Sequence, residues 1–76
     1  MTTATQNTLI PMDDLTILRI RSVISRTGLS RSMIYNMIAK GEFPHPISLG
    51  QRSVGWIKSE VVAWVINRME SSRINH

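Results

Sequence analysis

Residues 26–47, RTGLSRSMIYNMIAKGEFPHPI, read as the end of a short helix, a tight turn and a second helix with one polar face. Gly28 can take the positive φ that ends a helix, Leu29 can pack back behind it, and Ser30 carries the hydroxyl that caps the next helix. At about 100° per residue, the stretch from Arg31 to Lys40 divides into two arcs. Met33, Ile34, Met37 and Ile38 fall on one, and Arg31, Ser32, Tyr35, Asn36, Ala39 and Lys40 on the other. Gly41 supplies a helix stop, and Pro44 with Pro46 keeps the next segment extended. This is the pattern of a helix-turn-helix. An amphipathic helix also suits a plain core with a wet outer face, so charge has to separate the two cases. Between Leu18 and Gly41 stand Arg19, Arg21, Arg26, Arg31 and Lys40 with no acidic residue, whereas a merely solvated face mixes signs.

A chain of 76 residues forms one domain at the lower end of what buries a self-sufficient core. Nine Lys and Arg against five Asp and Glu give a net charge of +4, which points to a polyanionic partner, with nucleic acid first. Catalysis is not expected, because two distant His, no Cys and scattered carboxylates offer no converging acid, base or nucleophile. No apolar run approaches the roughly 20 residues of a membrane span, and no signal peptide is read at the start. The expected location is therefore cytoplasmic, at the nucleoid. Without cysteine there are no disulfides and none of the common Cys-containing zinc sites, and no metal, cofactor or small-molecule substrate is expected.

Working outward, residues 1–14 read as a disordered tail, 15–70 as the folded domain and 71–76 as a flexible end. LTILRI, from Leu15 to Ile20, suits either a short strand or an extended lead-in pairing with a later hairpin. Ser22 is expected to cap a helix over Val23 to Thr27, with Ile20, Val23, Ile24 and Thr27 inward. Ile47, Leu49, Val54, Trp56 and Ile57 flank Gly50, Gln51, Arg52 and Ser53 and alternate well enough for two short strands, a candidate wing. Ser59 and Glu60 open a last helix whose apolar residues, Val61 to Ile66 and Met69, cover more than one face and call for wide burial. Either that helix crosses the whole back of the core, or Val62 and Ile66 meet another copy. The fold class expected is mainly α with a small β-hairpin wing, a winged helix-turn-helix.

Three ordered segments, TGLSRSMIY (Thr27–Tyr35), KGEFPHPISLG (Lys40–Gly50) and VGWIKSEVVAW (Val54–Trp64), resemble the AlpA family of prophage regulatory proteins. The likeness runs from about Leu18 to Met69. That family's domain is related to the winged, MerR-like helix-turn-helix also found in small phage excisionases. The resemblance implies a site-specific binder of double-stranded DNA from a prophage or integrated island. It implies one of two roles: a transcriptional regulator, including one controlling integrase expression, or an excision directionality factor that bends its site. Asn36, His45 and Ser48 stand where relatives often carry Arg or Lys, which weakens the electrostatic grip, and Val62 is apolar where relatives are commonly polar.

On this reading Arg31, Arg52 and Lys40 meet backbone phosphates, with Arg26, Lys58 and His45 as additional contacts. Ser30 caps its helix and brings the first-turn amides near a phosphate. Arg31 suits a guanine edge, Asn36 an adenine edge and Ser32 either, while Tyr35 offers its hydroxyl to a phosphate or shields the core. Gln51 and Arg52 at the wing tip can enter a minor groove. Trp56 and Trp64 lie in apolar segments and read as core rather than as stacking platforms. The partners expected are double-stranded DNA and a second copy on an adjacent half-site. The rival reading is a protein-interaction module, antirepressor or antitoxin-like, working through the apolar last helix.

Overall fold

A computed structural model describes residues 15–74; the tail expected over residues 1–14 lies outside them, as do residues 75–76. In chain order the elements are β1 (Ile17–Leu18), α1 (Ile20–Thr27), α2 (Arg31–Ala39), β2 (Ile47–Gly50), β3 (Ser53–Ile57) and α3 (Lys58–Ile74). The strands form an antiparallel sheet in the order β1-β3-β2, so the architecture is a winged helix-turn-helix, as expected. The two readings of LTILRI meet in one element, a two-residue strand that pairs with the later hairpin, Ile17 opposite Ile57 and Leu18 opposite Trp56. The Lys58 amide donates to the Thr16 carbonyl at 2.8 Å and carries the pairing one step further.

The turn between α1 and α2 is built as its residues dictate. Gly28 sits at φ 77° and its amide donates to the Ile24 carbonyl at 2.8 Å, an αL helix stop. Thr27 pins the corner: its Oγ1 donates to the Val23 carbonyl at 2.8 Å and accepts from the Leu29 amide at 3.2 Å. Ser30 is extended at φ −75°, ψ 162°, and its Oγ accepts from the Met33 amide at 3.1 Å. At the far end of α2, the Glu42 amide donates to the Met37 carbonyl at 2.8 Å and the Gly41 amide to the Ile38 carbonyl at 3.0 Å, the two bonds of a Schellman stop.

Leu18, Val23, Ile34, Met37, Phe43, Trp56 and Val61 form the core, with Ile20, Ile24, Leu29, Ile38, Val54 and Trp64 packed around it. Both tryptophans serve packing, and each closes a bond to the loop after α2. The Trp56 indole donates to the Pro44 carbonyl at 3.0 Å and the Trp64 indole to the Glu42 carbonyl at 2.8 Å. Phe43 meets Trp64 edge-on at 4.9 Å between ring centroids. No polar or charged side chain among the described residues is buried.

Three expectations are corrected. Ser22 does not cap α1, which starts at Ile20 with Arg19 as its N-cap, because β1 is anchored by its pairing to Trp56 and the chain turns into the helix one residue later. Met33 is 46% exposed; it stands about 100° from Ile34, at the rim of the apolar arc, beyond the reach of the short α1. The wide burial expected of the last helix is not met within one chain: Val61 is buried and Trp64 and Val65 half-buried, while Val62, Ile66 and Met69 are exposed. That helix also runs to Ile74, past the domain edge expected at residue 70. Among the described residues no helix is long and apolar enough to cross a membrane.

Gly55, buried in β3, marks where β1 and β2 close on the central strand. A Cβ there would run into Ile17 Cγ2 and stand 3.0 Å from Leu49 Cδ1 and 3.2 Å from the Leu18 carbonyl oxygen. Gly55→Ala is expected to lower stability by about 1–3 kcal/mol through this overpacking, read as an earlier midpoint in urea denaturation followed by circular dichroism.

Candidate nucleic-acid interface

Burying Ile34 and Met37 and half-burying Ile38 leaves Arg31, Ser32, Tyr35, Asn36, Ala39 and Lys40 on the outer side of α2. All of these are exposed, as the helical spacing predicted. Ser30 accepts the Met33 amide with one lone pair and keeps its own hydroxyl proton free to donate. Tyr35 both packs on the core and reaches the surface. Its ring meets the buried Trp56 edge-on at 6.1 Å between centroids, yet the residue is 38% exposed and the side chain reaches the surface.

The wing brings a second group toward α2. Gln51 and Arg52 form its tip between the paired Gly50 and Ser53, and both are exposed. Arg52 is held at φ 58°, the one non-glycine residue with positive φ among those described. For an arginine that is a strained conformation of order 1–2 kcal/mol. Arg52 joins Arg31 and Tyr35 around a cleft of about 290 Å³ that Arg19, Ile20, Arg21 and Val54 complete.

Four arginines therefore converge from three separate elements. Arg19 and Arg21 belong to the basic run, but sequence alone does not place them in the site. A helix starting at Ser22 leaves them in a lead-in of unknown direction, whereas the unbroken stripe of Ile20, Val23, Ile24 and Thr27 is the signal that the helix, and with it Arg21, begins earlier. The other candidates are not gathered here. Arg26 lies against Val61, Val62, Val65 and Ile66 of α3, and His45 lines a separate groove together with Glu42 and Glu60, two carboxylates unsuited to a phosphate neighbour. Lys40 is exposed as the C-cap of α2, away from the cleft's lining, and Lys58 is half-buried where β3 passes into α3. Among the described residues no group of three or more His, Cys, Asp or Glu is placed to hold a metal ion.

An arrangement of exposed guanidinium groups, an amide side chain and hydroxyls on one helix face beside a basic hairpin tip is suited to anion contacts and groove edges. Comparison with known proteins gives the same direction. The family model described as prophage CP4-57 regulatory protein (AlpA) matches residues 16–69. An uncharacterized protein of Enterobacteria phage P4, ORF88, is 48% identical over 64 residues, covering 80% of this chain and 73% of the phage protein. The DNA-binding transcriptional activator AlpA of Escherichia coli (strain K12) is 38% identical over 58 residues, covering 68% of this chain and 83% of its own length.

The cap at Ser30 sets where the outer face of α2 begins. Ser30→Ala is expected to cost about 1 kcal/mol of stability, and Ser30→Asn to recover most of it, both read by chemical denaturation.

Proposed function

The chain belongs to the AlpA family of prophage regulatory proteins, and from that membership we propose that it is a sequence-specific double-stranded-DNA-binding regulator. The observation that carries this reading is the meeting of α2 and the wing tip, through Arg31, Tyr35 and Arg52, at one basic cleft. In the proposed complex the N-terminal half of α2 enters the major groove and the wing follows the adjacent minor groove. Arg31 meets a guanine edge, Asn36 an adenine edge, and Ser32 hydrogen-bonds a neighbouring base. The free proton of Ser30, the Tyr35 hydroxyl and Lys40 donate to phosphates, and Arg52 with Gln51 senses minor-groove width. The E. coli relative is named as a transcriptional activator, which favours control of a promoter, an integrase promoter included, over direct action in excision.

A second copy belongs to the same proposal. Val62, Ile66 and Met69 are 37%, 46% and 44% exposed and recur at helical spacing along α3, so they form one apolar stripe on that helix. Two copies joined there would sit on adjacent half-sites.

Fluorescence anisotropy tests the reading, with a duplex from upstream of the chain's own gene set against a scrambled duplex at low and at physiological salt. Preference for the upstream duplex that survives physiological salt supports it, with log affinity falling by about 0.9 per phosphate contact for each log unit of salt. Equal, weak binding that disappears with salt overturns it. Arg52→Asn separates side chain from backbone, because Asn accepts positive φ: stability is expected to hold or rise while affinity drops roughly tenfold. Val62→Lys combined with Ile66→Lys is expected to leave a monomer in sedimentation experiments while affinity for a single half-site is retained.

A further inference from the structure

The arginine cleft has a property that the base-reading face does not require. Arg19 and Arg21 come from the start of α1, Arg31 from the start of α2 and Arg52 from the wing tip. The half-buried Ile20 and Val54 line the cleft with them, and no carboxylate is among the lining residues. Four exposed like charges with no carboxylate among them attract an anion. The wing holds Arg52 toward this group in a strained backbone conformation. The two helix starts also differ: Ser30 caps α2, whereas Arg19 makes no side-chain bond to the first turn of α1.

We propose that this cleft is a phosphate seat, in which Arg19 and Arg21 grip the DNA backbone where it passes between the groove read by Arg31 and the groove followed by Arg52. The proposal rests on the DNA-binding reading above and adds to it two residues and a distinct task. Forked guanidinium donors match a phosphate's oxygens, and contacts of this kind set register without reading bases. The ligand chemistry is the phosphate oxyanion, and its source is either a duplex phosphodiester or free phosphate.

The experiment compares the wild type with Arg19→Gln/Arg21→Gln, using upstream and scrambled duplexes over a salt series. The pair is expected to weaken both duplexes by the same factor, roughly tenfold or more, to leave the ratio between them unchanged, and to make the salt slope shallower by about 0.9 for each phosphate no longer neutralised. Affinity and slope equal to the wild type overturn the proposal, and so does a selective loss for the upstream duplex, which would make these residues base readers. Should the pair lose its fold by circular dichroism, Arg21→Gln alone carries the test, since Arg21 is exposed and outside the core. Melting temperature in sodium phosphate against sodium chloride at equal ionic strength distinguishes the sources. A rise seen in the wild type and absent from the variant assigns the seat to free phosphate as well, whereas no rise together with weakened duplex binding assigns it to the DNA backbone alone. A wild type that binds no duplex sinks the DNA-binding reading, and the seat then stands only if that phosphate-specific rise is found; with neither, both fall.

Discussion

Trp56 is the side chain on which the rest of this fold depends. It is fully buried in the central strand, faces Leu18 across the β1 pairing, and donates its indole N–H to the Pro44 carbonyl. It thereby joins the strand before the helices, the loop after them and the wing at one point. A large aromatic buried with its single polar atom satisfied adds apolar burial without the penalty of an unpaired donor. The consequence reaches the surface, because Tyr35 rests its ring edge on Trp56 and so fixes the outer face of α2 relative to the sheet that carries Arg52. The alignment of helix and wing is a property of the core before it is a property of any ligand.

Against this core stands a group of charges that lies outside it, on the surface. Seven residues make up the buried cluster, few enough that each matters. Yet the molecule holds four arginines around one cleft and one of them in a left-handed conformation. The left-handed conformation of Arg52 lowers the stability of the free chain. Features that local rules disfavour and that packing maintains are the usual mark of a working surface. The surrounding devices are conservative by contrast: a serine cap, an αL glycine stop and a Schellman stop, each agreeing with the fold around it.

Most of this architecture is legible in the sequence, for local reasons. Gly28, Ser30 and Gly41 act through their own backbone or a neighbour's, so the turn, the extent of α2 and its polar arc can be read from residue type and spacing. The hairpin is legible because Gly50 to Ser53 interrupts an apolar alternation. The features that escape such a reading depend on partners distant in the chain. The start of α1 is set by a two-residue strand pairing with residues nearly forty positions later. The exposure of Met33 depends on how much of α2 the short α1 can cover. The same limit applies to the candidate site: Arg31, Tyr35 and Arg52 are each identifiable, but their meeting with Arg19 and Arg21 depends on the sheet closing, and Arg26 and His45 share their basic character without sharing their position.

The size of α2 bears on what one copy can do under the proposed reading. Nine residues expose about two turns, on which Arg31, Ser32 and Asn36 are the side chains suited to base edges. A good bidentate contact discriminates by about 1–3 kcal/mol, while specific binding typically exceeds non-specific binding by about 4–10 kcal/mol. Only Arg31 and Asn36 can make such bidentate contacts, together about 2–6 kcal/mol and so the lower part of that range, and a basic cleft raises affinity for every sequence alike. The remaining discrimination has to come from deformation of the DNA or from a second copy reading a second half-site. The apolar stripe of Val62, Ile66 and Met69 lies on a helix that takes no part in the cleft, so a second copy could dock there without competing for DNA. Separating the surface that grips DNA from the surface that counts copies would let so short a chain obtain specificity from pairing that its single recognition helix is too small to supply.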